Sequence, residues 1–405
     1  MKRDYAFLSC MIPPNMQEIV YRNSKRNMQD AANALEWHIY DGLCQNLKCD
    51  IKIFNILPIA SYPQYYQNAF IKKTKFSTKY NQNNINVGFC NVKFIRKYSQ
   101  FINAYIELEK WLKSSVHKKI LFVYTASIPF LNALELLKDR YDIKICVIIA
   151  DLPNMTNLSS KKSISRKISQ KIFGDRAYTL LSCADYYVLL TKHMADYIQI
   201  KKPYCVVEGI ATASNEFSKV NYNNTFKTIF YAGTLHKKFG ILNLLEAFKL
   251  IDDQSYRLII CGVGDSEHKI REMAKKDFRI TYCGQLPRNE VLKLQSQSTV
   301  LINPRQNNEE FTKYSFPSKN LEYLSSGVPF IAYKLDGIPE EYEDYILYVE
   351  DNEIETLKDK IVEVCSMEEY QRMLIGEKAK KFVNDKKNEI CQTAKIINLI
   401  NKCET

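Results

Sequence analysis

From residue 228 to residue 333 the chain runs four times through the same sequence of apolar strand, turn and helix. Thr228 to Tyr231 leads through Ala232-Gly233-Thr234-Leu235 into a helical stretch from Ile241 to Leu250. Tyr256 to Cys261 leads through Gly262-Val263-Gly264-Asp265 into a helix reaching Lys275. Ile280 to Cys283 leads through Gly284 into Arg288–Gln295, and Thr299 to Ile302 leads towards a helix bounded by Pro317 and Gly327. Short apolar strands separated by helices pair in parallel, with right-handed crossovers. In such sheets ligands lie beyond the carboxyl ends of the strands. The first three of these ends carry glycine, where a backbone must turn sharply or come close to a ligand.

The fourth loop holds the most chemistry. Pro317 suits a first helical turn, Ser318 can cap one, and Gly327 and Pro329 end it before the strand Phe330–Tyr333. A helix start gathers free backbone N–H groups and partial positive charge, which favours a phosphate. Lys319 adds a full charge in the first turn, and Glu322, one turn deeper, can aim its carboxylate at hydroxyl groups. Phosphate and diol side by side describe a nucleotide; an ordinary capped surface helix has the same local pattern.

The stretch Ser315, Pro317, Ser318, Lys319, Glu322, Tyr323, Gly327 and Pro329 resembles the donor-binding motif of retaining glycosyltransferases of family 4, in the form found in capsular and exopolysaccharide enzymes. The same half of the chain matches further family motifs in order: Y-A-G-T-L, C-G-x-G-D and Y-C-G. The resemblance implies a GT-B fold, an α/β architecture of two Rossmann-like domains facing each other across a cleft. It also implies that Glu322 holds the ribose of a nucleotide sugar. Donor-binding candidates are then Gly233, Thr234, Lys237, Lys238, Gly262, Gly264, Tyr314, Ser315, Phe316, Ser318, Lys319, Asn320, Leu321 and Glu322. Two departures stand out. Tyr314 occupies the place of a second family glutamate, and Thr234 and Phe239 replace an arginine and a lysine that grip the diphosphate. Lys237, Lys238 and Lys319 are the candidate replacements, because a dry cleft cannot hold a diphosphate unpaired.

The N-terminal half repeats the alternation. Strands are expected at Ala6–Cys10, Ile51–Leu57, Ile120–Tyr124, Ile143–Ile149, Cys183–Leu190 and Tyr204–Val207. Helices are expected at Gln29–Leu47, Gln100–Leu112 and Phe130–Leu137, and a polar stretch rich in Tyr, Gln, Asn and Lys runs from Tyr62 to Asn86. Two strand ends, Thr125 and Asp151, are the candidate catalytic positions. Asp151 reads equally as a turn cap, but family 4 enzymes often place an acid or histidine after this strand, facing the transferred sugar.

Charge is distributed unevenly. Residues 1–215 hold 30 Lys and Arg against 16 Asp and Glu, while the whole chain carries +12. The basic excess therefore belongs to the N-terminal half, which favours an anionic partner. Ser159–Phe173 places Lys161, Lys162, Arg166, Lys167 and Lys171 around Ile164, Ile168 and Ile172, the pattern of a basic helix lying on a membrane or of an ordinary packed one. No apolar run is long enough to cross a bilayer. The 12 cysteines show no Cys-x-x-Cys spacing and read as buried thiols in a reducing compartment.

The expected division is a domain of residues 1–217, joined by a last helix within 386–405, and a second domain of residues 218–385, with a hinge at Ser218–Phe226. The expected function is transfer of a sugar, with retention, from a nucleotide-sugar donor to a glycan acceptor, lipid-linked through polyprenyl diphosphate, in surface polysaccharide synthesis. No metal, no other cofactor and no nucleic acid are expected, and the expected place is the cytoplasm, peripherally on the inner face of the plasma membrane. A GT-B sugar-nucleotide epimerase and a non-enzymatic two-domain sugar-binding protein share the pattern; only a transferase needs an acceptor to release its nucleotide.

Overall fold

The computed structural model describes residues 2–25, 30–152, 174–211 and 226–404. The five basic residues of the Ser159–Phe173 stretch lie outside the described residues, as does most of the expected hinge. The chain divides into two compact units. Unit 1 comprises Met1–Glu208 and Gln392–Thr405, and unit 2 comprises Gly209–Cys391. Among the described residues no helix is long and apolar enough to cross a membrane, and all twelve cysteines are free.

Unit 1 is built on an eight-stranded sheet. Its strands are β1 (Arg3–Ser9), β2 (Lys52–Asn55), β4 (Thr74–Phe76), β5 (Asn84–Asn86), β7 (Lys118–Tyr124), β8 (Ile143–Ile149), β9 (Tyr186–Leu189) and β10 (Tyr204–Val206). Their order is β10-β9-β8-β7-β1-β2-β5-β4, with β4 alone antiparallel to its neighbour. The central strands are buried on both faces, from Ile120 to Val123 and from Ile145 to Ile149, as parallel strands covered by helices must be. Outside this sheet, β3 (Phe70–Ile71) pairs antiparallel with β6 (Phe89–Cys90). The last helix, Glu389–Glu404, is held to unit 1 by Asn46 Nδ2 donating to Thr393 Oγ1 at 2.9 Å and by Arg3 donating to Asn401 Oδ1 at 2.8 Å.

Unit 2 is built on a six-stranded parallel sheet. Its strands are β11 (Lys227–Ala232), β12 (Tyr256–Cys261), β13 (Ile280–Gly284), β14 (Val300–Asn303), β15 (Phe330–Tyr333) and β16 (Leu347–Val349), in the order β13-β12-β11-β14-β15-β16. Helix Ile241–Lys249 buries Ile241, Leu244, Leu245 and Phe248, the spacing of one helical face, and packs against helix Ile354–Ser366. Order reverses between β11 and β14, because the chain builds outward to β13 before returning. Such a reversal leaves a crevice beyond the strand ends. The chain thus has an α/β architecture built on parallel sheets.

Candidate functional site

In unit 2 the crevice beside β11 and β14 holds a pocket of about 230 Å³. It is lined by Tyr231, Gly233, Thr234 and Phe239 at and after the end of β11, Asn303 and Arg305 at and after the end of β14, and Phe316, Pro317, Ser318, Lys319 and Tyr323 of the fourth loop and helix. The helix Ser318–Ser326 begins one residue earlier than a cap at Ser318 would require. Pro317 is the N-cap, Ser318 is the first helical residue, and the N-terminus has no side-chain cap hydrogen bond. Its leading N–H groups are therefore left for whatever enters the pocket. Gly327 closes the helix in the left-handed region at φ +80°.

Two buried pairs fix this helix against the sheet. The Tyr323 hydroxyl receives the Ala232 N–H at 2.8 Å and donates to the Ala232 carbonyl at 3.2 Å, tying the helix to the end of β11. Asn303 Nδ2, at the end of β14, donates to Asn320 Oδ1 at 2.8 Å. The Asn320 amide nitrogen is itself buried without a partner. Leu321 turns into the hydrophobic core, so its side chain is structural.

Arg305 is the residue that inspection of the sequence missed. It is 9% exposed, and among the described residues no carboxylate pairs with it. Its guanidinium donates to Ser315 Oγ at 2.9 Å, its Nε has no partner, and its plane lies 4.3 Å from the ring centre of Phe311 and 5.2 Å from that of Phe239. Burial pushes its pKa down to about 10. A desolvated cation with an unpartnered donor, lining one pocket with an uncapped helix start, has the chemistry to receive an anion. Phe239 stands where a lysine was expected, and its ring supports this guanidinium.

Lys319 and Glu322 meet at 2.9 Å, and Arg288 approaches the other carboxylate oxygen of Glu322 at 3.7 Å. Lys319 lines the pocket, whereas Glu322 sits one turn behind it. Lys237 and Lys238 fall outside the pocket lining. The Lys237 N–H donates to Asp265 Oδ1 at 2.9 Å, and the Lys238 ammonium lies 5.2 Å from the ring centre of Phe311. Tyr314 ends a short helical turn, with its hydroxyl 3.5 Å from a Glu310 oxygen. Gly262 and Gly264 serve loop packing. A Cβ on Gly262, at φ +129°, would stand 1.8 Å from the Gly233 carbonyl oxygen, and one on Gly264 would stand 2.3 Å from that of Leu235.

In unit 1, Thr125 follows β7 at φ +57°, unusual for a β-branched residue, with its N–H donating to Ile148 O at 2.7 Å. Strain of this kind gathers at ligand sites. Asp151 lies just past β8, exposed. Nearby in the sheet order, Glu36 is buried after β1 and accepts the Cys10 N–H at 2.8 Å. Burial raises its carboxyl well above the ordinary 4.5. A carboxyl whose folded pKa is raised costs stability as pH climbs from its unfolded value towards its folded one. Glu36→Gln is therefore expected to raise the melting temperature at pH 7 and to leave it unchanged below about pH 4. Equal melting shifts at both pH values would contradict this reading of Glu36.

Comparison with known proteins follows the same outline. Residues 213–382 match the family model of glycosyl transferases group 1. No curated protein sequence matches the chain. Among solved structures, sucrose-phosphate synthase from Thermosynechococcus elongatus superposes with a TM-score of 0.65 at 13% identity, covering 99% of each chain. The α,α-trehalose 6-phosphate synthase from Burkholderia multivorans gives 0.63 at 10% identity, covering 100% of this chain and 98% of its own. The lipopolysaccharide outer core galactosyltransferase WaaB gives 0.60 at 14% identity, covering 99% of each chain. At these identities the likeness is one of fold, and the fold is GT-B.

Proposed function

We propose, taking residues 213–382 as a glycosyl transferases group 1 domain, that the protein moves a sugar from a nucleotide-sugar donor to a glycan acceptor. The observation that carries this reading is Arg305, a buried guanidinium with an unpartnered Nε that lines one pocket with an uncapped helix start. In this account the diphosphate of the donor lies against Arg305, Lys319 and the N–H groups of Ser318 and Lys319. Glu322 takes the ribose hydroxyls. The glycine turn at Gly233-Thr234 lets the chain pass close to the phosphates.

The reaction follows family 4 chemistry as found in capsular and exopolysaccharide synthesis. The bond from the anomeric carbon to the diphosphate breaks, the acceptor hydroxyl attacks the same face, and configuration is retained. Negative charge grows on the departing diphosphate, and fixed cations and helix N–H groups stabilise it without reorganisation. Asp151 and the strained Thr125 are assigned to the sugar and acceptor side. No metal and no protein nucleophile is required. The acceptor is a polyprenyl-diphosphate-linked glycan, which suits the basic excess of residues 1–215. The protein then works peripherally on the cytoplasmic face of the membrane.

The decisive assay offers a panel of UDP-, GDP- and ADP-sugars with and without lipid-linked glycans. UDP is the first probe because a TarM variant of S. aureus was solved with UDP bound. Acceptor-dependent release of nucleoside diphosphate, with the product anomer matching the donor by NMR, is the expected result. Release of an epimer or a free sugar without acceptor would point to an epimerase. Within the site, Lys319→Met is expected to weaken nucleoside diphosphate binding by about five- to tenfold, the scale of a half-exposed charge contact at about 1 kcal/mol, and to spare the nucleoside. Equal loss for both ligands would move Lys319 away from the phosphates.

A further inference from the structure

Among the exposed apolar side chains of unit 1, five fall on neighbouring segments. Phe94 is 87% exposed, Phe70 75% and Tyr98 64%, with Ile95 and Ile106 also exposed. These residues belong to neighbouring segments. Phe70 of β3 pairs with Cys90 of β6, and the chain then turns through Phe94 and Ile95 into helix Arg96–Leu112. Ser99 Oγ accepts the Cys90 N–H at 3.0 Å and Asn103 Nδ2 donates to Gly88 O at 2.7 Å, locking that helix to β6. Between them opens a pocket of about 450 Å³, whose wall includes Phe70, Ile71, Val87, Phe89 and Ile106.

Exposed lysines surround the patch: Lys72, Lys73 and Lys75 beyond β3, and Lys93 and Lys97 flanking Phe94. Glu107 is the carboxylate at the pocket edge, and it is engaged by Lys73 at 2.6 Å and Lys110 at 3.2 Å. Solvated proteins rarely leave several large apolar side chains together on the surface without a partner. Aromatic rings ringed by lysine, around an apolar hollow, suit the boundary between lipid headgroups and acyl chains. A nucleic acid would meet the same lysines, but the aliphatic wall of Ile71, Val87 and Ile106 has nothing to offer a base.

We infer that unit 1 docks on an anionic lipid bilayer through this face, with Phe70, Phe94, Ile95 and Tyr98 entering the headgroup layer and Lys72, Lys75 and Lys93 meeting lipid phosphates. The inference names the surface from which the proposed acceptor is taken, and it rests on that reading for the acceptor alone; the patch and its charge stand without it.

The test is co-sedimentation of the full chain with vesicles of phosphatidylglycerol and phosphatidylcholine, or of phosphatidylcholine alone, at low and high salt. Wild type is expected on the anionic vesicles at low salt, released by salt and absent from neutral ones. Lys72→Gln, Lys75→Gln and Lys93→Gln together are expected to cut partitioning by about a hundredfold, at roughly fivefold per lysine. Phe94→Ser with Tyr98→Ser is expected to cut it at least tenfold. A Phe94→Trp variant keeps binding and gives blue-shifted emission on vesicles, which a folding defect cannot imitate. Unchanged partitioning of either multiple variant, or no emission shift, overturns the inference. So does loss in these variants of single-stranded RNA binding or of self-association in place of vesicle binding. Nucleoside diphosphate affinity of the same variants is the control. Its absence in wild type with vesicle binding intact sinks the transferase reading alone, and the reverse sinks the lipid surface alone.

Discussion

Arg305→Met is expected to weaken nucleoside diphosphate binding roughly thirty- to several-thousandfold while leaving nucleoside affinity nearly unchanged. Removing one partner of a buried, hydrogen-bonded charge pair costs about 2–5 kcal/mol, at about 1.4 kcal/mol per tenfold. Arg305 meets the conditions for that upper range. It is 9% exposed, its Nε is unpartnered, and no carboxylate among the described residues neutralises it. Without ligand the buried charge is a burden, so Arg305→Met is expected to keep or raise the melting temperature. That separates loss of binding from loss of fold. Arg305→Lys keeps the charge but not the planar fork stacked on Phe311 and Phe239, so it restores binding only in part. Isothermal titration of nucleoside diphosphate and nucleoside against the three proteins decides the matter. Equal affinities in wild type and Arg305→Met would remove Arg305 from the site.

Glu322→Ala is expected to weaken donor binding by about one to two orders of magnitude, the scale of charge-assisted hydrogen bonds worth about 1.5–3 kcal/mol. Here the loss falls on nucleoside and nucleotide alike, because it belongs to the ribose. It is expected to vanish for a 2′,3′-dideoxy nucleotide, which offers no diol. Glu322 is preset for this role: Lys319 at 2.9 Å and Arg288 at 3.7 Å hold its carboxylate, and the Gln295 amide binds its backbone carbonyl at 3.1 Å. Competition titrations with ribo- and dideoxynucleotides check it. A loss that persists with the dideoxy ligand would mean that Glu322 acts through Lys319 instead.

The buried strands were the most legible part of the chain. Ile143–Ile149, Tyr256–Cys261 and Phe330–Tyr333 are read with the bounds they adopt, since a short, mostly apolar run between turn signals has few other solutions. Edges were harder. Tyr62–Asn86 stands out only as a polar stretch, yet it contains β3, β4 and β5, the last two held by asparagine side chains. Asn84 Oδ1 accepts the Ile53 N–H at 2.8 Å, and Asn55 Nδ2 donates to Asn86 Oδ1 at 2.6 Å. A strand anchored by amides leaves no hydrophobic period to detect. Helix Arg96–Leu112 starts four residues before the expected Gln100, because its first turn, Arg96-Lys97-Tyr98-Ser99, faces outward over most of its surface.

The fourth loop announced itself through proline, lysine, glutamate and glycine at helix spacing, and the structure brings its start to the pocket. Arg305 could not be found in that way. It lies ten residues before Ser315 in an irregular segment, and only folding sets it against Phe239, Phe311 and Ser315. The available signal was indirect: an arginine and a lysine absent from the first glycine loop, which required a cation from elsewhere. Lysines adjacent in sequence, Lys237 and Lys238, are the natural candidates, but neither lines the pocket: the Lys237 N–H donates to Asp265, and the Lys238 ammonium lies over the Phe311 ring.

The central claim is that the crevice between β11 and β14 holds the diphosphate of a sugar donor. A crystal structure of the full chain with the tightest-binding nucleoside diphosphate tests it most directly. The account predicts phosphate oxygens within about 3.2 Å of the Arg305 guanidinium and of the Ser318 or Lys319 N–H, with both ribose hydroxyls on Glu322. A diphosphate bound away from Arg305 and the start of helix Ser318–Ser326 would contradict it.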